Sequence, residues 1–179
     1  MTTLQLASDI HLETRQKLSH SSFNSLIRPS AAVLALVGDI GDPAEPVFSA
    51  FLAWCSSKFE LVLFVHGNHE LYSSPSNSVL TVDARIALIQ NICNQFRNVV
   101  YLNNKKHIYN GVWFIGSTLW SYVPSEHKTE IELGLNDYHY IFKSADQTIS
   151  VDDTNGEFAE NKKFLEGFSI VIAFVYFFF

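Results

Sequence analysis

Three short polar blocks hold the residue types that do metal chemistry: Asp9-Ile10-His11, Gly38-Asp39-Ile40-Gly41-Asp42 and Gly67-Asn68-His69-Glu70. Carboxylates, imidazoles and a side-chain amide suit divalent ions such as Mn, Fe, Zn or Mg. Water beside such an ion loses a proton near neutral pH. A histidine among the ligands can pass a proton, because its ordinary pKa lies near the working pH. The set therefore reads as a metal-dependent hydrolase. Taken singly, each block is common, since Asp at a strand end is often a turn or cap residue. The weight rests on the conjunction of three blocks, in order and evenly spaced. Asp39 follows Asp9 by 30 residues, and Asn68 follows Asp39 by 29.

That spacing is set by the elements that must position the blocks. Apolar runs over 3–8, 33–37 and 61–66 read as strands, each ending at a block. The period fits a repeating strand–helix unit. In such units the carboxyl ends of successive strands gather along one edge, where ligands bind. Asp9, His11, Asp39, Asn68 and His69 are therefore expected to converge. Residues 44–58 carry a helical apolar stripe with Pro46 near its start. Residues 78–96 show the clearest helical periodicity, through Val79, Val82, Ile86, Ile89, Cys93 and Phe96, with Ser76 or Ser78 as the expected cap. Short strands follow over 99–102, 106–109 and 112–115, and Asn110-Gly111 marks a hairpin turn. A last helix is expected over 154–166, and then an apolar strand.

Bulk properties narrow the partners. The 179 residues suffice for one domain with a real core, and 47% hydrophobic content with 15 Phe marks a globular chain. A net charge of −6 and a pI near 5.6 argue against a nucleic-acid partner. A phosphate substrate stays compatible, because bound cations would dominate the local field. Cys55 and Cys93 fall on apolar helix faces and read as buried thiols. With no signal peptide visible, they point to a cytoplasmic protein. The apolar run 168–179 is 12 residues long, with six aromatic and four β-branched side chains. It is too short for a spanning helix, which needs roughly 20 residues, and reads as a strand or a sticky tail.

At these motifs the chain resembles the calcineurin-like metallophosphoesterase superfamily, in a branch of small uncharacterised phosphoesterases. The matching blocks are Ser-Asp-Ile-His-Leu-Glu (8–13), Val-Gly-Asp-Ile-Gly (37–41) and Gly-Asn-His-Glu-Leu-Tyr (67–72). Gly116-Ser117-Thr118-Leu119-Trp120-Ser121 and Asn136-Asp137-Tyr138 add to them. The likeness covers about 1–163 of a single partial domain spanning 1–179, with 168–179 as a divergent apolar tail. It implies an α/β fold of the αββα sandwich type, two packed sheets flanked by helices. It also implies roles. Asp9 and His11 would hold a first metal, and Asp39 would bridge it to a second. Asn68 would hold the second metal and touch the phosphate. His69 would act as general acid, or stabilise the transition state, near the leaving oxygen. Asp42 and Glu70 fit either an orienting role or an ordinary place in their loops. His66 reads as packing, and His20, His107, His127 and His139 match no family motif.

The chain also departs from the family. Members continue into a His-bearing block and a Gly-His-x-His block that supply three further ligands, and neither block is present before Phe179. The resemblance thus implies a sequence truncated within the second sheet, with one of the family's two metals retained. Loss of even outer partners costs on the order of 10–100-fold in metal affinity or activity. The expected function is metal-dependent hydrolysis of phosphomonoesters or phosphodiesters. The alternative is an impaired fragment that binds a metal or a partner protein. A serine-hydrolase elbow and nucleotide-binding Gly-rich loops are both missing.

Overall fold

The structure is a computed structural model that describes residues 2–15, 20–73, 79–168 and 173–174. Its centre is a parallel sheet in the order β1 (Leu4–Ala7), β2 (Val33–Val37), β3 (Leu61–Val65) and β4 (Val99–Tyr101). The two middle strands, Val-Leu-Ala-Leu-Val and Leu-Val-Leu-Phe-Val, are continuous apolar runs because both their faces are covered. Alternate side chains divide between two cores. Leu34, Leu36, Val62 and Phe64 meet the helical side, where α1 (His20–Leu26), α2 (Pro46–Lys58) and α3 (Val82–Cys93) pack. Val33, Ala35, Leu61, Leu63 and Val65 meet Leu102 and Phe114 on the side of the second sheet. The sequence-based expectation of a mixed α/β fold with two packed sheets holds.

The second sheet starts with the hairpin of β5 (Lys105–Tyr109) and β6 (Val112–Gly116). Asn110 and Gly111 both have positive φ, as their tight turn requires. α4 (Lys128–Gly134), α5 (Asp137–Tyr140), the small hairpin of β7 (Phe142–Ser144) and β8 (Gln147–Thr148), and α6 (Val151–Glu166) follow. β9 (Ala173–Phe174) then pairs parallel to β6, which places part of the apolar run 168–179 in a strand. The remainder of that run lies almost wholly outside the described residues. No helix among the described residues is long and apolar enough to cross a membrane.

Three local expectations need correction. α3 begins at Val82 and is capped by Thr81, whose hydroxyl accepts the Ala84 N–H at 3.3 Å. Ser76 and Ser78 lie outside the described residues. α6 begins three residues before the expected start, on a reciprocal cap in which Ser150 and Asp153 bond each other's backbone. Asp at the third helical position closes that box where Glu is more usual, which hid it from the sequence pattern. Finally, α1, α4, α5 and β7–β8 carry no strong periodicity and emerge only in the structure. All but α1 border a small third core of Leu71, Trp120, Tyr138, Ile141, Ile149 and Val151.

The sheet's tolerance should follow this layering. Phe64 is fully buried on β3, with its ring 5.6 Å from Phe48 and 5.9 Å from Tyr101. Phe64→Ala should lower stability by about 3–5 kcal/mol. Leu6 on β1 is 52% exposed, and Leu6→Ala should cost less than about 1 kcal/mol. Urea unfolding of both variants checks the contrast, and equal losses would contradict the layering.

Candidate metal centre

The site forms where β1, β2 and β3 end. Past the last strand residues the chain still pairs with itself. The Asp9 N–H donates to Gly38 O (3.2 Å), His11 N–H to Asp39 O (3.0 Å) and Leu12 N–H to Ile40 O (2.9 Å). The loop after β1 is thus zipped to the loop after β2. Asp9, His11 and Asp39 all have left-handed backbones, with φ of 53°, 49° and 55°. Such conformations cost on the order of 1 kcal/mol or more each, and they persist where surrounding structure dictates them. Here three of the five sequence-identified site residues share the strain.

Glu70 provides much of that dictation. Its carboxylate is wholly buried and accepts four backbone N–H groups: Asp39 (3.0 Å), Ile40 (2.6 Å), Gly41 (3.0 Å) and Gly67 (2.6 Å). It ties the turn after β3 to the loop after β2. Burial, and next the Asp39 charge, push the Glu70 carboxyl up to about 7, while the N–H donors pull the other way. Glu70 lies in the first turn of the 3₁₀ helix His69–Leu71 and also bonds the Asp39 backbone, so both of its sequence readings describe its place. Gly67 completes the approach, because a Cβ there would stand 2.2 Å from Asp39 Oδ1.

Among the described residues, two groups of side chains offer ligand atoms within 4.8 Å of one another: Asp9, His11 and Asp39, and His11, Glu13 and His69. His11 belongs to both, and its ring meets His69 edge-on with centroids 4.5 Å apart. Glu13 Oε1 lies 3.1 Å from His11 Nδ1 and 3.6 Å from His69 Nδ1. Burial acts to raise the Glu13 carboxyl, but hydrogen bonds from His69, its own backbone and His11 outweigh it and bring it down to about 2. The bond to Glu13 raises His69 above the ordinary imidazole value, against the effect of burial. Burial likewise raises Asp39, which accepts the His69 backbone N–H at 3.1 Å.

Asn68 precedes His69 and is almost fully buried. Its amide nitrogen donates to Asp137 Oδ1 at 2.6 Å and lies 3.3 Å from the Tyr72 hydroxyl. Tyr72 donates to the same Asp137 oxygen at 2.6 Å. The amide oxygen Oδ1 of Asn68 is buried with no hydrogen-bond partner. A buried carbonyl oxygen left bare costs free energy, and a divalent cation would satisfy it. The donor set of carboxylates, imidazoles and this oxygen fits a hard or borderline divalent ion.

The sequence thus located Asp9, His11, Asp39, Asn68 and His69 at one sheet edge, and the structure unites Asp9, His11 and Asp39 around one point. Glu13, Asp137 and Tyr72 were given no role, although all three lie inside the quoted blocks. Asp42 serves elsewhere, in an ion pair with the buried Arg85 of α3. His127 and His139 are exposed and pair with Glu130 and Leu133 O, while His107 sits on β5 opposite Phe114. The His20 side chain lies outside the described residues. Cys55 and Cys93 are buried free thiols, as expected.

No family model matches the sequence. Uncharacterized protein L509 of Acanthamoeba polyphaga mimivirus is 33% identical over 164 residues, which cover 87% of this chain and 58% of the relative. The fold is similar to the crystal structure of the phosphopantetheinyl hydrolase PptH from Mycobacterium tuberculosis. That match has a TM-score of 0.67 and 19% identity, and covers 97% of this chain and 66% of the other. The chain therefore spans less than two thirds of the length of either protein.

Two outcomes follow from the site's supports. Glu70→Ala strands four buried N–H donors and should cost at least about 3 kcal/mol in urea unfolding. Glu70→Gln, which keeps one acceptor oxygen, should lose less. A loss under about 1 kcal/mol for Ala would show that the loops hold without the clamp. His66 is fully buried, with Nδ1 2.7 Å from the Tyr101 hydroxyl, and burial lowers its pKa to about 4 from an ordinary value near 6.5. In that window the unfolded chain takes up a proton that the folded one refuses. Its contribution is therefore full above about pH 6.5 and is lost as pH falls toward about 4. In chelator, the wild type should lose about 2 kcal/mol more than His66→Gln between pH 7 and pH 5. Parallel pH curves for the two proteins would refute the assignment.

Proposed function

We propose that this chain is a metal-dependent phosphoesterase acting on phosphomonoesters or phosphodiesters. The observation that carries the reading is the convergence of Asp9, His11 and Asp39, with the bare Asn68 oxygen in the turn after the neighbouring strand β3. The motifs shared with calcineurin-like metallophosphoesterases support it, as does the likeness of fold to a protein described as a hydrolase. Asp9, His11 and Asp39 would hold a divalent ion, and the bare Asn68 Oδ1 would be a further oxygen donor. Mn, Fe, Zn or Mg fit that set, and such an ion would supply Lewis acidity and an acidified water.

The remaining steps belong to the protein's own groups. His69 carries the proton for the departing ester oxygen. Glu13 holds the imidazole in place and favours its charged form. The Asp39 carboxylate fixes the His69 backbone. The Asn68 NH₂ is committed to Asp137, which leaves its carbonyl, not its amide hydrogens, for the centre. The expected partner is a phosphoester, without nucleic acid. Only Asp9, His11 and Asp39, with Glu13 and His69 attached through His11, form ligand groups among the described residues. That narrow set favours, as a second reading, a centre with one ion and weak turnover.

Hydrolysis of aryl phosphate and bis-aryl phosphate with added Mn²⁺ tests the proposal. Turnover should require the metal and fall by more than about 100-fold in Asp39→Asn. Calorimetric titration with Mn²⁺ separates the two readings: one weak site with little turnover supports the second. Metal-independent turnover, or full activity in Asp39→Asn, would reject both.

A further inference from the structure

An open cavity of about 470 Å³ adjoins the candidate centre. Its lining includes Asn68 and Tyr72 and continues through Trp120, Tyr122, Ile131 and Leu135. The Tyr72 ring stacks on the His69 imidazole, with centroids 4.4 Å apart and planes 23° from parallel. The cavity is therefore one aromatic ring away from the group that would protonate the leaving oxygen. Tyr122 is 60% exposed and Leu135 39% exposed, so apolar surface stands open to solvent there. Among the described lining residues there is no lysine or arginine. The one carboxylate, Asp137, is already engaged by Asn68 and Tyr72. The one imidazole of the described lining, His127, lies 3.7 Å from Glu130, so the lining holds no permanent cation to offset the charge of a second phosphate. The size and the mainly apolar walls match pockets that enclose an organic group with few polar contacts.

We infer that this cavity receives the organic part of the substrate, and that this part is an uncharged, largely apolar alcohol, aryl or alkyl, rather than a nucleotide or a sugar phosphate. The phosphoryl end of that assignment rests on the phosphoesterase reading above, and the organic end rests on the cavity. In the reaction, water adds its oxygen to phosphorus while the ester P–O bond breaks. The alcohol leaves with a proton from His69, and a proton of the attacking water replaces it. The stack of Tyr72 on His69 places the ester oxygen at the centre and its substituent against the aromatic wall.

Two measurements test this, one of them independent of turnover. The chain has three tryptophans, Trp54, Trp113 and Trp120, so ¹⁵N-labelled protein gives few indole N–H signals, and Trp120→Phe identifies the relevant one. Titration with 1-naphthol should shift the Trp120 signal and leave those of Trp54 and Trp113 in place. Leu135→Asp and Tyr122→Ala, both at exposed positions outside the buried core, should each weaken the titration at least fivefold. With Mn²⁺, kcat/KM for 1-naphthyl phosphate should exceed that for glycerol phosphate at least tenfold, and Leu135→Asp should cut the ratio at least fivefold. A Trp120 signal unmoved at millimolar naphthol, or a ratio near one, would overturn the inference while leaving the phosphoesterase reading intact. A shifted Trp120 signal in a protein that hydrolyses neither ester would support the apolar cavity and reject the phosphoesterase reading.

Discussion

The arrangement depends on one buried carboxylate. Glu70 collects N–H groups from three consecutive residues after β2 and from Gly67 after β3. A parallel sheet aligns strand ends but does not fix the loops beyond them, because the ladder of hydrogen bonds stops there. Glu70 replaces the missing ladder with a single acceptor group. The backbones of Asp39 and of the turn that carries Asn68 and His69 are thereby held in one frame. The loop after β1 joins that frame through its own bonds to Gly38, Asp39 and Ile40. The left-handed conformations at Asp9, His11 and Asp39 are then a consequence of the frame. They turn three side chains from three separate directions toward one point, and the strain is offset by the bonds that hold the loops.

The same frame crowds like charges, and the structure relieves that crowding by interleaving imidazoles. Asp9, Glu13, Asp39 and Glu70 lie close together in a chain whose net charge is already −6. Burial raises Asp39 and Glu70, and the Asp39 charge raises Glu70 further. His11 and His69 sit between these groups, with Glu13 drawn toward both rings. A divalent cation at Asp9, His11 and Asp39 would relieve the same repulsion more fully than two half-buried imidazoles can. The residue groups that could hold such an ion are the ones in which carboxylates and imidazoles alternate.

Most of this centre could be read from the sequence, because its signal is local. A short, mainly apolar strand followed by a polar block repeats at an even spacing, and the parallel sheet converts that spacing into proximity. The helices with strong periodicity, α2 and α3, were readable for the same reason. Glu13 and Asp137 were not. Glu13 lies two residues after His11, and its role arises only when the 3₁₀ turn over Leu12–Thr14 folds it back between two rings. Asp137 meets Asn68 across a separation of 69 residues, through short helices that carry no periodic pattern. Glu70 was visible as part of a block, yet a carboxylate bonded only to backbone leaves no trace in the types of its partners.

Asp137 also joins the two halves of the site. One of its oxygens accepts from both Asn68 and Tyr72. An amide that donates to a carboxylate cannot be turned over without setting its carbonyl against that charge, so the bond fixes which end of Asn68 remains free. The same oxygen fixes the Tyr72 hydroxyl, and with it the ring that covers His69 and walls the cavity. The orientation of the Asn68 amide and the shape of the adjoining cavity are therefore set by a single buried acceptor. A change in the segment that carries Asp137 would act on both together, and under the proposed reading it would couple selection of the organic group to the geometry of the centre.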